Sequence, residues 1–100
     1  MGTYTRKLLT IVTEAAIEGA IRRDLTQLGA RGYTITDARG RGDRGVRNAS
    51  WETSGNIRIE VVCSSDTAAK ISAHLEQHYY THYAMIMYLA DVEVLRSEKF

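Results

Sequence analysis

The residues best suited to chemistry lie between positions 39 and 47, where the sequence reads Arg-Gly-Arg-Gly-Asp-Arg-Gly-Val-Arg. This segment carries a net charge of +3, whereas the rest of the chain carries −2. Its glycines let the backbone approach an anion closely and direct N–H groups at it. Its arginines provide planar donors for phosphate oxygens or for a small anion such as bicarbonate. The segment therefore predicts an anion site, with a solvated cationic loop as the alternative.

Other residue types that could do chemistry give weaker patterns. Histidines recur at His74, His78 and His82, and the first two would share a helix face. No carboxylate or thiol completes a fourth metal ligand in the pattern, so we predict a solvated helix face and no metal. Glu14 and Asp66 stand at predicted helix starts, where carboxylates satisfy free N–H groups. Neither carboxylate is paired with a nucleophile, and we therefore expect no enzyme.

Length and composition indicate one small soluble domain. A chain of 100 residues with 44% hydrophobic residues and a net charge of +1 is unlike a disordered protein. No apolar run reaches the ~18–20 residues that a membrane helix needs, and no signal peptide is recognisable. The lone Cys63 cannot form an internal disulfide, which is typical of a reducing cytoplasm, so we expect a cytoplasmic protein.

The elements that must position the charged segment alternate regularly along the chain. Apolar residues at every second position predict strands, and those at every third or fourth position predict helices. The predicted order is strand 7–13, helix 14–28, strand 33–38, loop 39–55, strand 56–63, helix 67–80 and strand 84–95. This order predicts an α+β, ferredoxin-like double βαβ fold (β-α-β-β-α-β) in one domain, with both helices on one face of the sheet.

The last predicted strand is apolar on both sides. Ile86, Tyr88 and Ala90 point one way, and the methionines and leucine between them point the other way. In a sheet that helices cover on one face only, the second apolar face needs another cover. We therefore expect an oligomer in which a partner subunit lies on the bare side.

Several segments, taken together, resemble the PII signal-transduction family. Residues 32–47 resemble the segment that opens the T-loop of these proteins, and residues 56–62 resemble the strand that leaves it. Residues 11–14 and the ending from 83 to 95 also fit, so the resemblance covers nearly the whole chain. Within the family, the chain is most similar to the PII-like branch associated with bicarbonate uptake and carboxysomes.

The resemblance implies a homotrimer that binds adenine nucleotides between neighbouring subunits. The T-loop, about residues 39–55, would report the ligand to a protein target such as a bicarbonate transporter or a carboxysome-related protein. The nucleotide-binding residues implied are Thr34, Gly40, Arg41, Gly42, Asp43, Arg44, Arg47, Glu60, Val61, Val62 and Arg96. Arg44 and Arg47 would also contact bicarbonate, and Arg96 would reach phosphate from the neighbouring subunit.

The sequence departs from typical family members in ways that bear on the ligand. Positions 82–85 read His-Tyr-Ala-Met, where the family has a glycine-rich phosphate loop with a lysine. Its absence favours ADP or AMP over magnesium-bound ATP, with cyclic AMP also open. Residues 40–55 contain no tyrosine, so the nucleotidylation known in the family has no acceptor. A cysteine-bearing C-terminal extension found in some bicarbonate-linked relatives is missing as well.

Two alternatives share the predicted fold. An RNA-binding domain would need exposed aromatic residues on its central strands, and strand 56–63 has none, so we expect no nucleic acid. A small metal-binding trimer would depend on the histidines. In the loop, Trp51 could anchor a partner or fold back on its own trimer, and Ser50 and Ser54 are possible phosphorylation sites.

Overall fold

The computed structural model describes residues 2–40 and 55–96. Strand β1 spans Tyr4–Glu14, and a 3-10 turn at Ala15–Ile17 leads into helix α1, Glu18–Gln27. The remaining elements are β2 (Thr34–Ala38), β3 (Asn56–Cys63), α2 (Ser65–Tyr79) and β4 (Met85–Val94). The predicted order of elements is confirmed, although β1 begins three residues earlier than predicted and a 3-10 turn replaces the first part of the predicted helix 14–28.

The four strands form one antiparallel sheet in the order β2-β3-β1-β4. The two long central strands pair over their whole common length, with Leu9 opposite Val61 and Ile11 opposite Ile59. The short β2 and the long β4 form the two edges. This order is that of the predicted ferredoxin-like fold, because each β-α-β unit places its helix across the same face.

Both helices lie on one face of the sheet and form the core with it. Odd-numbered residues of β1 and β3 face the helices, as the alternation of side chains along a strand requires. The buried apolar residues that pack together in this core are Leu9, Ile11, Ile17, Ile21, Leu25, Ile57, Ile59, Val61, Cys63, Ala68, Ile71, Leu75 and Met85. Cys63 is a small core residue, and burial raises the pKa of its thiol.

Helix α2 begins with a serine cap. The hydroxyl oxygen of Ser64 accepts a hydrogen bond from the backbone N–H of Thr67 at 3.2 Å. Such a bond satisfies one of the free N–H groups at a helix start and stabilises the helix by about 1 kcal/mol. Glu14 behaves differently from the prediction, because its carboxylate makes no capping bond and instead accepts from the backbone N–H of Ala84 at 2.6 Å.

A single carboxylate on α1 joins the two helices. The hydroxyl of Tyr79 donates to Asp24 at 2.6 Å, and Nε2 of His74 lies 3.3 Å from the same carboxylate. The His78 ring stacks on that of His74 at 4.1 Å, and His82 lies beyond the helix end. His74 is thus half-buried between the helices. The predicted solvated helix face therefore holds for the exposed His78 but not for His74. The described residues contain no group of three or more side chains able to hold a metal ion.

We predict that Tyr79 loses its proton later than the exposed tyrosines. Burial, and then the hydrogen bond to Asp24, raise the pKa of Tyr79 to about 12. The unfolded pKa is about 10, so this stabilising contribution is complete below pH 10 and is lost as the pH rises through about 12. Ultraviolet titration of tyrosinate should show one late step among the 6 tyrosines. Tyr79→Phe should remove that step, and an unchanged titration curve in this variant would contradict the assignment.

The face of the sheet away from the helices, the open face, is covered by no other described element. Its residues are Leu8, Thr10 and Val12 of β1, Thr34 and Thr36 of β2, Arg58, Glu60 and Val62 of β3, and Ile86, Tyr88 and Ala90 of β4. Ile86 and Tyr88 are each 52% exposed. Large apolar side chains that stay exposed side by side are typical of an interaction surface.

Candidate functional site

The two ends of loop 39–55 are held together beside the end of β1. Ala38 pairs with Asn56 across the strands that enter and leave the loop, and Asn56 in turn pairs with Glu14. The carbonyl of Gly55 accepts a hydrogen bond from the backbone N–H of Ala15 at 3.1 Å. Gly55 has a φ of +80°, a conformation that glycine adopts without a steric cost. The structure therefore fixes the place from which the loop leaves the domain.

This loop stem contains a buried polar atom without a hydrogen bond. Asn56 is only 7% exposed, and its side-chain oxygen has no hydrogen-bond partner among the described residues. A buried acceptor left unpaired costs about 1–3 kcal/mol, so a donor brought to this place would be stabilised. The arginine-rich segment that follows Gly40 carries many N–H donors. The amino group of an adenine is another N–H donor that could reach this oxygen.

Three of the predicted nucleotide-binding residues lie together on the open face. Thr34, at the start of β2, is the direct cross-strand partner of Glu60, and Val62 follows two residues later on β3. Val61 is different, because its side chain is fully buried on the helix side. Only the backbone of Val61 can therefore contribute to a ligand site on the open face.

A polar cavity of about 300 Å³ adjoins this cluster at the end of β3. It is lined by Gly29, Arg31, Val62, Cys63, Ser64 and Thr67. The N-terminus of α2 opens onto it, which provides backbone N–H groups and the positive end of the helix dipole. Sequence reasoning missed Arg31, although its position three residues before Thr34, on the segment leading into β2, could have indicated it.

The turn before β4 differs from an open phosphate loop. The backbone N–H groups of His82 and Tyr83 both donate to the carbonyl of Tyr79, at 3.1 and 3.0 Å. The next N–H, that of Ala84, is bound by Glu14, and the Ala84 carbonyl accepts from the Thr13 hydroxyl at 2.6 Å. The amides that would cradle a phosphate in such a loop are thus already used within the domain.

Gly40 and Arg96 lie far apart within one chain. Gly40 follows β2 at the end of the sheet where β1 finishes, whereas Arg96 follows β4 at the opposite end, where Tyr4 pairs with Val94. The ten residues of β4 span about 30 Å, and the two edge strands are about 14 Å apart. Arg96 therefore cannot meet Gly40 of its own chain, so a site that uses both of these residues would form between two copies.

The rest of the predicted anion-binding set falls outside the described residues. Arg41, Gly42, Asp43, Arg44 and Arg47, the other five loop residues named for nucleotide or bicarbonate, all lie between positions 41 and 54. Trp51, Ser50 and Ser54 lie there too. Gly40 is described and exposed, and a side chain at this position would meet no neighbouring atom among the described residues.

The central strands carry no aromatic residue on the open face. Their side chains there are Leu8, Thr10 and Val12 on β1, and Arg58, Glu60 and Val62 on β3. An RNA-recognition sheet stacks bases on aromatic rings at these positions. The two central strands therefore offer no such stacking platform.

Strand order, helix placement and the paired loop stem define the class of protein. It is a ferredoxin-like α+β domain in which the predicted ligand residues Gly40 and Arg96 lie at opposite ends of the sheet. The family model described as nitrogen regulatory protein P-II matches residues 6–99, nearly the whole chain. The chain therefore belongs to the nitrogen regulatory P-II family, and the predicted resemblance is confirmed.

Solved structures agree with this assignment. A protein of Thermus thermophilus described as PII-like signalling is 44% identical, with a TM-score of 0.84 and coverage of 100% of this chain and 99% of that one. CPII of Thiomonas intermedia, bound to ADP, AMP and acetate, has a TM-score of 0.85 at 22% identity over 100% and 98% of the chains. CPII bound to ADP and bicarbonate has a TM-score of 0.85 at 23% identity over 99% and 97%. At such identity the likeness to CPII shows the fold alone.

Neither helix could cross a bilayer. Within the described ranges, no helix is both long enough and apolar enough for that.

Proposed function

We propose that this protein is a regulatory sensor that binds an adenine nucleotide between the subunits of a homotrimer. Loop 39–55 of one subunit would hold the phosphates, and Arg96 of the next subunit would reach them from the other side. Thr34, Glu60 and the backbone of Val61 and Val62 would frame the adenine and ribose. The protein is a regulator rather than an enzyme, in keeping with its family, and acts in the cytoplasm.

The opposite placement of the loop stem and Arg96 carries this proposal. Loop 39–55 and Arg96 both carry positive charge, which suits phosphate. In one chain, however, the stem of this loop and Arg96 lie at opposite ends of the sheet, and β4 is about 30 Å long. A second copy lying on the open face would bring the two together. The exposed Ile86 and Tyr88 of that face support the same assembly, since trimer formation would remove them from water.

ADP or AMP fits the described residues better than ATP. The amides of residues 82–84 are bound within the domain, and no lysine stands there to neutralise a third phosphate. The arginines of loop 39–55 would then carry most of the charge compensation. Binding of the anion would order the loop, which converts the ligand state into a shape that a partner can recognise.

Bicarbonate is the second ligand that we propose, at Arg44 and Arg47. The planar guanidinium group matches a planar, singly charged oxyanion, and the CPII structures with bicarbonate offer an analogous case in a protein of the same fold. The protein target would then act in inorganic-carbon metabolism, as a bicarbonate transporter or a carboxysome-related protein does. The chemistry of Arg44 and Arg47 supports binding of bicarbonate. The protein target has to be identified by experiment.

The double variant Arg44→Ala, Arg47→Ala tests the role of the loop. Each charge-assisted hydrogen bond contributes about 1.5–3 kcal/mol, so the loss of both should weaken ADP binding by at least about a hundredfold in calorimetry. The assembly, measured by light scattering, should be unchanged because the apolar side chains of the open face are intact in this variant. Arg22→Ala, Arg23→Ala on α1 is the matched control, since it removes the same charge from an exposed helix. Unchanged ADP affinity in the loop variant would exclude these arginines from the site.

A further inference from the structure

A basic groove lies on the surface of α1, beside the segment that leads into β2. Its volume is about 490 Å³, and the residues that line it are Gly19, Arg22, Arg23, Thr26, Gln27 and Tyr33. We call it the α1 groove. Tyr33 is half-buried against the core, and the other five residues are exposed. The α1 groove therefore lies on the helix side of the sheet, opposite to the open face, and is reachable from solvent.

The α1 groove carries two positive charges and no negative one. Among the described residues, no carboxylate lies within 4.0 Å of the guanidinium groups of Arg22 and Arg23. Glu18, about one helical turn before them, does not pair with either. Asp24 follows Arg23 directly, but its carboxylate accepts a hydrogen bond from Tyr79 of α2 at 2.6 Å. The acid nearest in sequence to the arginines is thus engaged elsewhere.

Tyr33 fixes the direction of the Arg22 side chain. Nε of Arg22 donates to the Tyr33 hydroxyl at 3.1 Å, and the Tyr33 ring packs against the core. The Nη groups of Arg22 make no hydrogen bond to the described residues, so they are available to a ligand. A guanidinium group held in place before binding loses less rotamer freedom, and its fork matches the two oxygens of a carboxylate. Arg22 is therefore preorganised for an acidic ligand.

The shape of the α1 groove favours a peptide over a free anion. From Gly19 to Gln27 the helix rises about 12 Å, which is the length of about four residues of extended chain. A Cβ at Gly19 would lie 3.7 Å from Nη1 of Arg23, so the missing side chain leaves open space beside that guanidinium group. Both arginines lie along this path at exposed positions, where several carboxylates in one chain bind better than a single anion.

We propose that the α1 groove binds an acidic segment of a partner protein, whose carboxylates pair with Arg22 and Arg23. Complementary charge at such a surface steers the encounter and fixes the orientation of the partner. This contact uses neither loop 39–55 nor the open face. It is therefore a second docking surface on the molecule, and it does not depend on the proposed nucleotide site.

Fluorescence anisotropy with a fluorescein-labelled hexaglutamate peptide tests this docking surface. The peptide should bind the wild type, and binding should weaken as salt screens the charges. Arg22→Ala should weaken it by at least about fivefold, since this variant lacks the preorganised charge. Lys70→Ala is the matched control, because it removes one positive charge from an exposed position of α2. This control should bind the peptide as the wild type does.

Tyr33→Phe separates a positioned guanidinium group from charge alone. This variant keeps the ring and every charge of the α1 groove but removes the hydroxyl that holds Arg22. It should weaken peptide binding by at least about twofold, whereas a general attraction between opposite charges would leave binding unchanged. Circular dichroism of each variant verifies that the fold is intact.

Backbone NMR spectroscopy locates the bound peptide. Binding in the α1 groove should shift the amide signals of residues 19–27 and of Tyr33. Shifts confined to loop 39–55, or an equal loss of affinity in Arg22→Ala and Lys70→Ala, would overturn the proposal. A wild type that does not bind the peptide would overturn it as well. Each of these results is independent of ADP binding, which calorimetry measures separately.

Discussion

Replacing Ile86 by lysine is expected to leave the protein monomeric with its fold intact. Ile86 is 52% exposed in the single chain and stands beside Val12 on the open face, so the fold itself does not need its side chain. In the trimer the lysine would be buried without a partner, at a cost of about 3–5 kcal/mol. This cost corresponds to an assembly constant weakened by at least about a hundredfold. Sedimentation and a circular dichroism melt report the two properties separately.

Leu89→Lys is the matched control for this change. Leu89 lies three residues further along the same strand, is 50% exposed and faces the helix side. The two variants thus add the same charge to the same strand at almost the same exposure, on opposite faces. We expect the Leu89 variant to assemble normally. Dissociation of both variants, or of neither, would contradict the assignment of the contact to the open face alone.

Local patterns in the sequence were sufficient to predict the fold. In β3 the alternation of Ile57, Ile59 and Val61 with Arg58 and Glu60 specified both a strand and the face that it buries. In α2 the hydroxyl of Ser64 marked the helix start, because a capping residue and the N–H that it binds are neighbours along the chain. Information of this kind lies within a few residues, so a single sequence reveals it.

Contacts between distant residues could not be predicted in the same way. The carboxylate of Glu14 reads as a helix cap because it precedes a helix, yet it binds the N–H of Ala84, seventy residues away. The helix-joining bond of Tyr79 with Asp24 spans fifty-five residues and has no local signature. The cavity beside Arg31 likewise exists only because the end of β3 and the approach to β2 meet in space.

The candidate site also combines residues that the sequence indicated with an arrangement that only the structure shows. Thr34 and Glu60 were assigned to the site by family resemblance, and the register of β2 on β3 places them side by side. The separation of Arg96 from the loop stem is a property of strand direction, and only the complete sheet reveals it. That separation agrees with the resemblance to a trimeric family, since a second chain would place Arg96 beside the loop stem.

Two variants with weakened ADP binding are expected to restore each other's binding when mixed in one trimer. Arg96→Ala keeps an intact loop, and the Arg44→Ala, Arg47→Ala variant keeps an intact Arg96. If a site takes its loop from one subunit and Arg96 from the next, random mixing in equal amounts makes about one quarter of the sites complete. Calorimetry of the refolded mixture should then recover wild-type ADP affinity at about a quarter of the sites. A site built within one chain would recover none, because every chain would still carry a defect.

The stoichiometry makes this experiment more decisive than either variant alone. Loss of ADP binding in Arg96→Ala could follow from a local structural change at the end of β4. Such a change alone would not give full ADP affinity at a fixed fraction of the sites in the mixture. A mixture prepared without unfolding keeps the two kinds of trimer separate and should bind no ADP tightly, which controls for incomplete inactivation. Recovery in the refolded mixture, and only there, would require the loop and Arg96 to come from different subunits, as the proposed site does.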